Sequence, residues 1–167
     1  MIHAQPQGGG GVGLKSAGVL AQSAVAASVT GTTSETVLAT IPVPAGAMGA
    51  NGILRIITLW SVTNSADSKT LRVRLGGIGG TAYLGLGVTA VATAQELTLI
   101  RNRNSLSSQV GFAATPAASY GTSTTAVTTS AVDMSAAQDL VITGTIAANA
   151  GANTITLEAY TVEILNP

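Results

Sequence analysis

The first residues that could do chemistry lie in the glycine-rich segment GGGGVGLKS near the N-terminus. Gly8, Gly10 and Gly13 match the G-x-G-x-x-G pattern of a dinucleotide-binding turn. Lys15 and the serine after it resemble the end of a phosphate loop, but such a loop needs a glycine directly before the lysine, and Leu14 stands there. No strand is predicted before the glycines and no βαβ unit after them, so we expect no nucleotide cofactor.

The chain also has few residues that could act as catalytic acids or bases or as metal ligands. The single histidine, His3, lies far from any base partner, so one chain cannot assemble a Ser-His-Asp or Cys-His arrangement. A histidine metal site would need several subunits to share His3 around a symmetry axis, and the absence of cysteine excludes thiolate ligands and disulfides. Glycoside hydrolysis needs two facing carboxylates, and no spacing selects a pair among Glu35, Asp67, Glu96, Asp133, Asp139, Glu158 and Glu163. We expect no enzyme activity, no metal and no cofactor.

The basic residues are more suggestive, because five of the seven are arginines within predicted strands or at their ends: Arg55, Arg72, Arg74, Arg101 and Arg103. Two pairs among them are spaced two residues apart, which places each pair on one face of a strand. Guanidinium groups suit bidentate contacts with carboxylates, so these arginines are candidate contacts with a neighbouring subunit. The alternative is a solvated face that pairs within the chain with Asp67, Glu96 or Glu158. The sequence leaves both interpretations open.

The amino-acid composition limits the kinds of partner that the chain could bind. Hydrophobic residues make up 46% of the 167 residues and aromatic residues only 3%, so the interior must be built largely from small and aliphatic side chains. Such side chains bury little area each, and self-association is an economical way to add more. The formal net charge of zero argues against nucleic-acid binding, and no apolar run reaches the roughly 18 residues of a membrane-spanning helix. We expect a homo-oligomer that contacts neither nucleic acid nor membrane.

The N-terminal residues 1–23 are predicted to form an extended arm, and the folded domain is expected to span residues 24–167. The segment MIHAQPQGGGGVG combines a proline with a glycine cluster whose ordering costs much conformational entropy. An ordered arm of this kind needs something to hold it. The candidate docking residues are Ile2, His3, Pro6, Val12 and Leu14.

The rest of the chain consists of short β-branched runs separated by Gly, Pro, Asn and Ser, which is typical of an all-β domain. The predicted strands are residues 35–43, 52–63, 69–75, 81–87, 95–103, 109–114, 139–147 and 153–165, and residues 120–130 could add a ninth. We expect an antiparallel β-sandwich of the jelly-roll type. An immunoglobulin-like sandwich is the alternative, although the chain lacks the Cys and Trp signature of that fold.

The stretch TGTTSETVLATIPVPAGAMGANGILRIITLWSVTNSADSKTLRVRLGG, residues 30–77, resembles virion structural proteins of tailed bacteriophages. The segments RNRNS at 101–105 and ITLEAYTVEIL at 155–165 are similar too. The resemblance covers about residues 30–165 and rests on the general similarity of these segments rather than on a diagnostic motif. It implies a jelly-roll-like domain, often trimeric, in a capsid decoration protein, a head fibre or a tail fibre. It transfers no catalytic residue.

The predicted arm favours one of these roles. It is too short for a long fibre shaft and has no heptad pattern for a coiled-coil stalk. We therefore expect a decoration, or cement, protein that is made in the host cytoplasm and docks on the outer surface of the virion. Its partner would be the major capsid protein or another virion protein. The alternative is a receptor-binding knob of a head or tail fibre that recognises a host-surface glycan.

Overall fold

The computed structural model describes residues 17–114 and 122–166, and within these ranges the chain forms eleven β-strands and no helix. The strands are β1 (Ala17–Ser23), β2 (Ala27–Thr30), β3 (Thr36–Val43), β4 (Ile53–Val62), β5 (Lys69–Leu75), β6 (Thr81–Val88), β7 (Thr93–Asn102), β8 (Gln109–Gly111), β9 (Thr128–Ser130), β10 (Gln138–Ile146) and β11 (Thr154–Leu165). All eight strands predicted from the sequence are present, with ends that differ by three residues or fewer. Of the described part of the proposed ninth strand, residues 122–130, only Thr128–Ser130 pairs in a sheet.

The strands form two antiparallel sheets. The seven-stranded sheet has the order β1-β11-β4-β7-β8-β9, with β2 also paired to β11, and the four-stranded sheet has the order β3-β10-β5-β6. Without β1, β8 and β9, the remaining eight strands counted along the chain are arranged 1-8-3-6 in one sheet and 2-7-4-5 in the other. This is the strand order of a jelly roll, and it confirms the predicted sandwich. The immunoglobulin-like alternative, with sheets ordered ABED and CFG, is wrong.

The core lies between the sheets and follows the period-two alternation of the strands. Leu71, Val73 and Leu75 of β5 are fully buried, as their spacing predicts, while Arg72 and Arg74 between them point to the outer face. Trp60 of β4 is also fully buried and is the largest side chain in the core. Its indole Nε1 donates a hydrogen bond of 2.8 Å to Thr58 Oγ1 on the same inner face, so the ring brings no unsatisfied donor into the core.

The first two strands were not predicted, and they move the start of the domain. Ala17–Ser23 pairs with one half of β11, in the register Ala17↔Leu165 to Ser23↔Tyr160, and Ala27–Thr30 pairs with the other half. Residues 17–23, which the sequence assigned to the arm, therefore belong to the sheet, and the expected domain start at residue 24 is too late. The sequence AGVLAQS has no alternating β-branched residues, and its extended conformation comes from the backbone of β11. The predicted docking residues Ile2, His3, Pro6, Val12 and Leu14 lie outside the described residues.

Candidate contact surfaces on the outer sheet faces

The five arginines do not form one surface. Arg72 and Arg74 lie on the outer face of the four-stranded sheet, whereas Arg55 and Arg101 lie on the outer face of the seven-stranded sheet, on the opposite side of the sandwich. Arg103 follows the end of β7 and is exposed. The structure thus offers two separate candidate surfaces, and they differ in chemistry.

The four-stranded face carries a network centred on Glu35, just before β3. Arg74 Nε and Nη2 donate to Glu35 Oε1 and Oε2 at 2.7 and 2.9 Å, and Thr143 Oγ1 donates to Oε1 at 2.5 Å. Arg72 Nη1 lies 3.7 Å from Oε2 and donates to Thr145 Oγ1 at 2.6 Å. Hydrogen bonding from Arg74 holds the pKa of the Glu35 carboxyl below its usual value, with further lowering by Thr143 and by the charge of Arg72, against the effect of burial.

These contacts decide part of the question that the sequence left open. Arg72 and Arg74 pair within the chain, as the alternative interpretation expected, but their carboxylate is Glu35 and none of the three acids named from the sequence. Both arginines are mostly buried, at 23% and 19% side-chain exposure. A contact between this network and a neighbouring subunit stays a prediction.

We expect the contribution of Glu35 to stability to disappear in acid. Its folded-state pKa lies below the ordinary value of 4.5, so the contribution is present above that value and is lost as the pH falls through the folded pKa. At neutral pH, Glu35→Gln should lower the free energy of unfolding by about 2 kcal/mol, since two charged hydrogen bonds are weakened. Urea unfolding of both proteins from neutral to strongly acidic pH checks this. A difference between them that stays constant below pH 4.5 would contradict it.

The outer face of the seven-stranded sheet is apolar at its centre. Ile57 and Leu59 of β4 are 37% and 40% exposed, and Leu97 and Leu99 lie beside them on β7, which pairs with β4 in the register Ile57↔Leu97 and Arg55↔Leu99. The same face continues through three partly exposed residues: Ile53 at the start of β4, Val110 on β8 and Leu165 on β11. We call these seven aliphatic residues the outer apolar face.

Charged groups lie within this face and at its two ends. Arg55 forms an ion pair with Glu163, its neighbour across β4 and β11, and this hydrogen bond lowers the pKa of the Glu163 carboxyl. Arg101 lies at one end of the face, opposite Ile53, and is in no ion pair with any residue in the described ranges. At the other end, Glu158 accepts a hydrogen bond from the Ser61 hydroxyl.

Sequence reasoning missed the outer apolar face, although a signal was present. The run ILRIITLW at 53–60 is apolar at both parities, whereas a strand with one wet face alternates. The apolar residues at the inward-facing positions of this run, such as Trp60, are explained by the core that they fill. Ile53, Ile57 and Leu59 make the outward-facing positions apolar as well, and no core formed by residues 17–114 and 122–166 covers them.

Two of the remaining acids have structural partners within the chain. Asp67 accepts hydrogen bonds from Asn153 and Asn149, both at the turn between β10 and β11, and these bonds lower its pKa. Asp133 accepts hydrogen bonds from the hydroxyl and the backbone of Ser135, which lower its pKa in the same way. Among residues 17–114 and 122–166, no group of three His, Cys, Asp or Glu could hold a metal ion. In the same ranges no helix is long and apolar enough to cross a membrane.

Three aromatic residues of the described ranges serve the interior. Trp60 is fully buried and Tyr83 is almost so, with its hydroxyl hydrogen-bonded to Ser130 Oγ at 2.7 Å. Tyr160 on β11 packs against the core and lines a shallow groove with Gln22 and Ser23. None of these three rings lies open on a sheet face as a stacking platform for a sugar.

Comparison with known proteins adds little to this geometry. No protein-family model matches the chain, and no curated protein matches it. Among solved structures, the chain is similar to the VP2 subviral particle of infectious bursal disease virus, with 13% identity, a TM-score of 0.29 and coverage of 89% of this chain and 38% of that one. A structure of the Gx strain of the same virus gives 12% identity, a TM-score of 0.28, and coverage of 89% and 39%. The chain spans about two fifths of both viral proteins. At these scores the likeness carries no argument, and the fold assignment rests on the strand order.

Proposed function

We propose that this chain is a virion structural protein of a tailed bacteriophage, and specifically a capsid decoration protein. The observation that carries the proposal is the jelly-roll strand order, an architecture shared by viral capsid and lectin domains. Many functions share this fold. The resemblance of residues 30–77 to the virion proteins of tailed phages selects a virion structural role among them.

The side-chain chemistry supports a structural role. Glu35, Asp67, Asp133, Glu158 and Glu163 all bind donors of their own chain. Those carboxylates therefore hold the fold together, and no two of them face each other across an open cleft. A chain of this kind acts through its surfaces.

The proposed mechanism is linkage between binding and shell stability. A decoration protein that bridges adjacent capsid subunits binds the assembled shell and not the separated subunits. Its binding free energy is therefore added to what disassembly must overcome. The N-terminal residues would supply the grip on the major capsid protein, and the jelly roll would present the outward surface.

Removal of residues 1–16 is the direct test. We expect the truncated protein to keep its midpoint of thermal unfolding, because β1 begins at Ala17 and the described sheets stay whole. We expect it to lose most of its occupancy on capsids, measured by co-sedimentation with undecorated shells. The deletion stops at residue 16 because removing 17–23 as well would strip an edge strand. Undiminished occupancy would contradict docking through the N-terminal residues.

A glycan array separates this proposal from a receptor-binding knob. A decoration protein is expected to bind shells and no glycan on the array. Specific glycan binding without shell binding would favour the fibre knob instead. Electron microscopy of virions labelled against the chain would then place it at the shell, the portal vertex or the tail.

A further inference from the structure

We propose that the outer apolar face of the seven-stranded sheet is a self-association interface that binds a second copy of this chain around a two-fold axis. The inference does not depend on a virion location. It goes beyond an expectation of oligomers in general, because it names the surface, the symmetry and the contacts at its two ends.

The apolar content of the face is the first argument. Soluble sheets keep one face wet, yet here Ile57, Leu59, Leu97 and Leu99 form a contiguous aliphatic centre on the outer side of two paired strands. On the four-stranded sheet, the corresponding outer side carries the hydrogen-bonded network of Glu35, Arg72 and Arg74. The two outer faces of one sandwich therefore differ in kind, and only one needs a cover.

The outer side of the seven-stranded sheet is large enough for a stable dimer. It extends over five strands, from β1 to β8, and along nine residues of β4 from Ile53 to Ser61, and it includes the seven residues of the outer apolar face together with a polar rim. At about 4.8 Å per strand and about 3.3 Å per residue, this whole side covers about 700 Å². A specific interface buries about 800 Å² on each partner. An aliphatic surface is also complementary to itself, which an isologous interface requires.

The charges at the two ends select the arrangement. Arg101 lies opposite Ile53 at one end, and Glu158 lies beside Ser61 at the other, about 26 Å away along β4. A two-fold axis that lies in the interface and crosses the strands exchanges the two ends. It brings Arg101 of one copy towards Glu158 of the second copy, twice in each dimer, with the aliphatic centres stacked between them. The Arg55–Glu163 pair carries no net charge, so it adds no repulsion between the two copies.

The first test is the mass of the full-length protein by light scattering over a dilution series. We expect a particle of twice the chain mass of 16.4 kDa. Leu59→Lys, at the centre of the face, should raise the dissociation constant by at least about thirtyfold. Val37→Lys is the matched control, since Val37 is exposed to a similar extent, 41%, but lies on the other sheet. It should leave the mass unchanged.

A charge swap tests the two-fold arrangement independently. Arg101→Glu and Glu158→Arg should each weaken the dimer by about tenfold, and the double variant should recover most of the loss because each end again meets the opposite charge. Circular dichroism verifies that every variant is folded. A monomer, a trimer such as the phage resemblance favours, a dimer insensitive to Leu59→Lys, or reversals that add rather than cancel would each overturn the proposal.

Discussion

Replacing Trp60 with alanine is expected to lower the free energy of unfolding by about 3–5 kcal/mol, which is the range for a large aromatic residue in a close-packed core. The side chain is fully buried in β4, a strand held on both sides by β11 and β7. Because both neighbouring strands fix its position, β4 cannot move inwards to fill the space. The cavity therefore stays largely open, and its cost adds to the lost transfer free energy of the indole.

Guanidinium unfolding followed by far-ultraviolet circular dichroism measures this loss without relying on tryptophan fluorescence. Val37→Ala is the control: it removes an aliphatic side chain that is already 41% exposed, and it should change stability by no more than about 0.5 kcal/mol. A loss below about 1 kcal/mol for Trp60→Ala would show that the surrounding aliphatic core collapses around the vacant site.

Removal of the Lys69 ammonium is expected to have the second largest effect, a loss of about 3 kcal/mol for Lys69→Ala. Lys69 is fully buried at the start of β5, and its Nζ donates to Ser65 Oγ at 2.9 Å and to the Asp67 carbonyl at 2.7 Å. Ser65 in turn donates to Asn153 Oδ1 at 2.6 Å. Alanine would leave a cavity and deprive the Asp67 carbonyl of its ammonium donor.

Lys69→Met separates packing from hydrogen bonding, because methionine retains most of the volume without the ammonium. We expect an intermediate loss in urea unfolding, smaller than that of Lys69→Ala by the packing contribution. A methionine variant as stable as the natural protein would mean that burying the ammonium costs as much as its hydrogen bonds return. Thr70→Ala, the neighbouring residue on the outer side of β5, is the control and should have a small effect.

Local pattern predicts the strands and their inner faces but not the partners of the polar residues. The alternation of Leu71, Val73 and Leu75 predicts the buried side of β5, and the same parity places Lys69 inside. What makes that burial tolerable is a pair of acceptors for the ammonium, the Ser65 hydroxyl and the Asp67 carbonyl. Both residues are also hydrogen-bonded to Asn153, which belongs to a turn far away in the sequence. The alternation of apolar and polar residues along a strand carries no information about such turns.

The Glu35–Arg74 pair is likewise not predictable from local sequence pattern. The two residues are 39 positions apart, and they meet because β10 lies between β3 and β5 and contributes Thr143 to the same carboxylate. Only the order of the strands in the sheet brings these groups together. Predicting a jelly roll without assigning strand order therefore gives the class of fold but leaves each arginine without an assigned partner.

The β1 strand was missed for a different reason. AGVLAQS has small side chains and no clear alternation, so intrinsic preference does not distinguish it from a linker. Its conformation is imposed by the exposed backbone of β11, which offers hydrogen bonds to any chain that lies beside it. A strand is hard to predict from sequence when its extended conformation is imposed by pairing with a neighbouring strand.

The pairing of β1 with β11 also determines how the domain responds to force. Ala17 faces Leu165, so the two ends of the described sheet leave the sandwich side by side at the same corner. Tension applied between residues 17 and 165 pulls these antiparallel strands apart from one end and loads their hydrogen bonds one after another instead of all together. The peripheral strand would peel away at low load, while the β11–β4 pairing behind it remains intact.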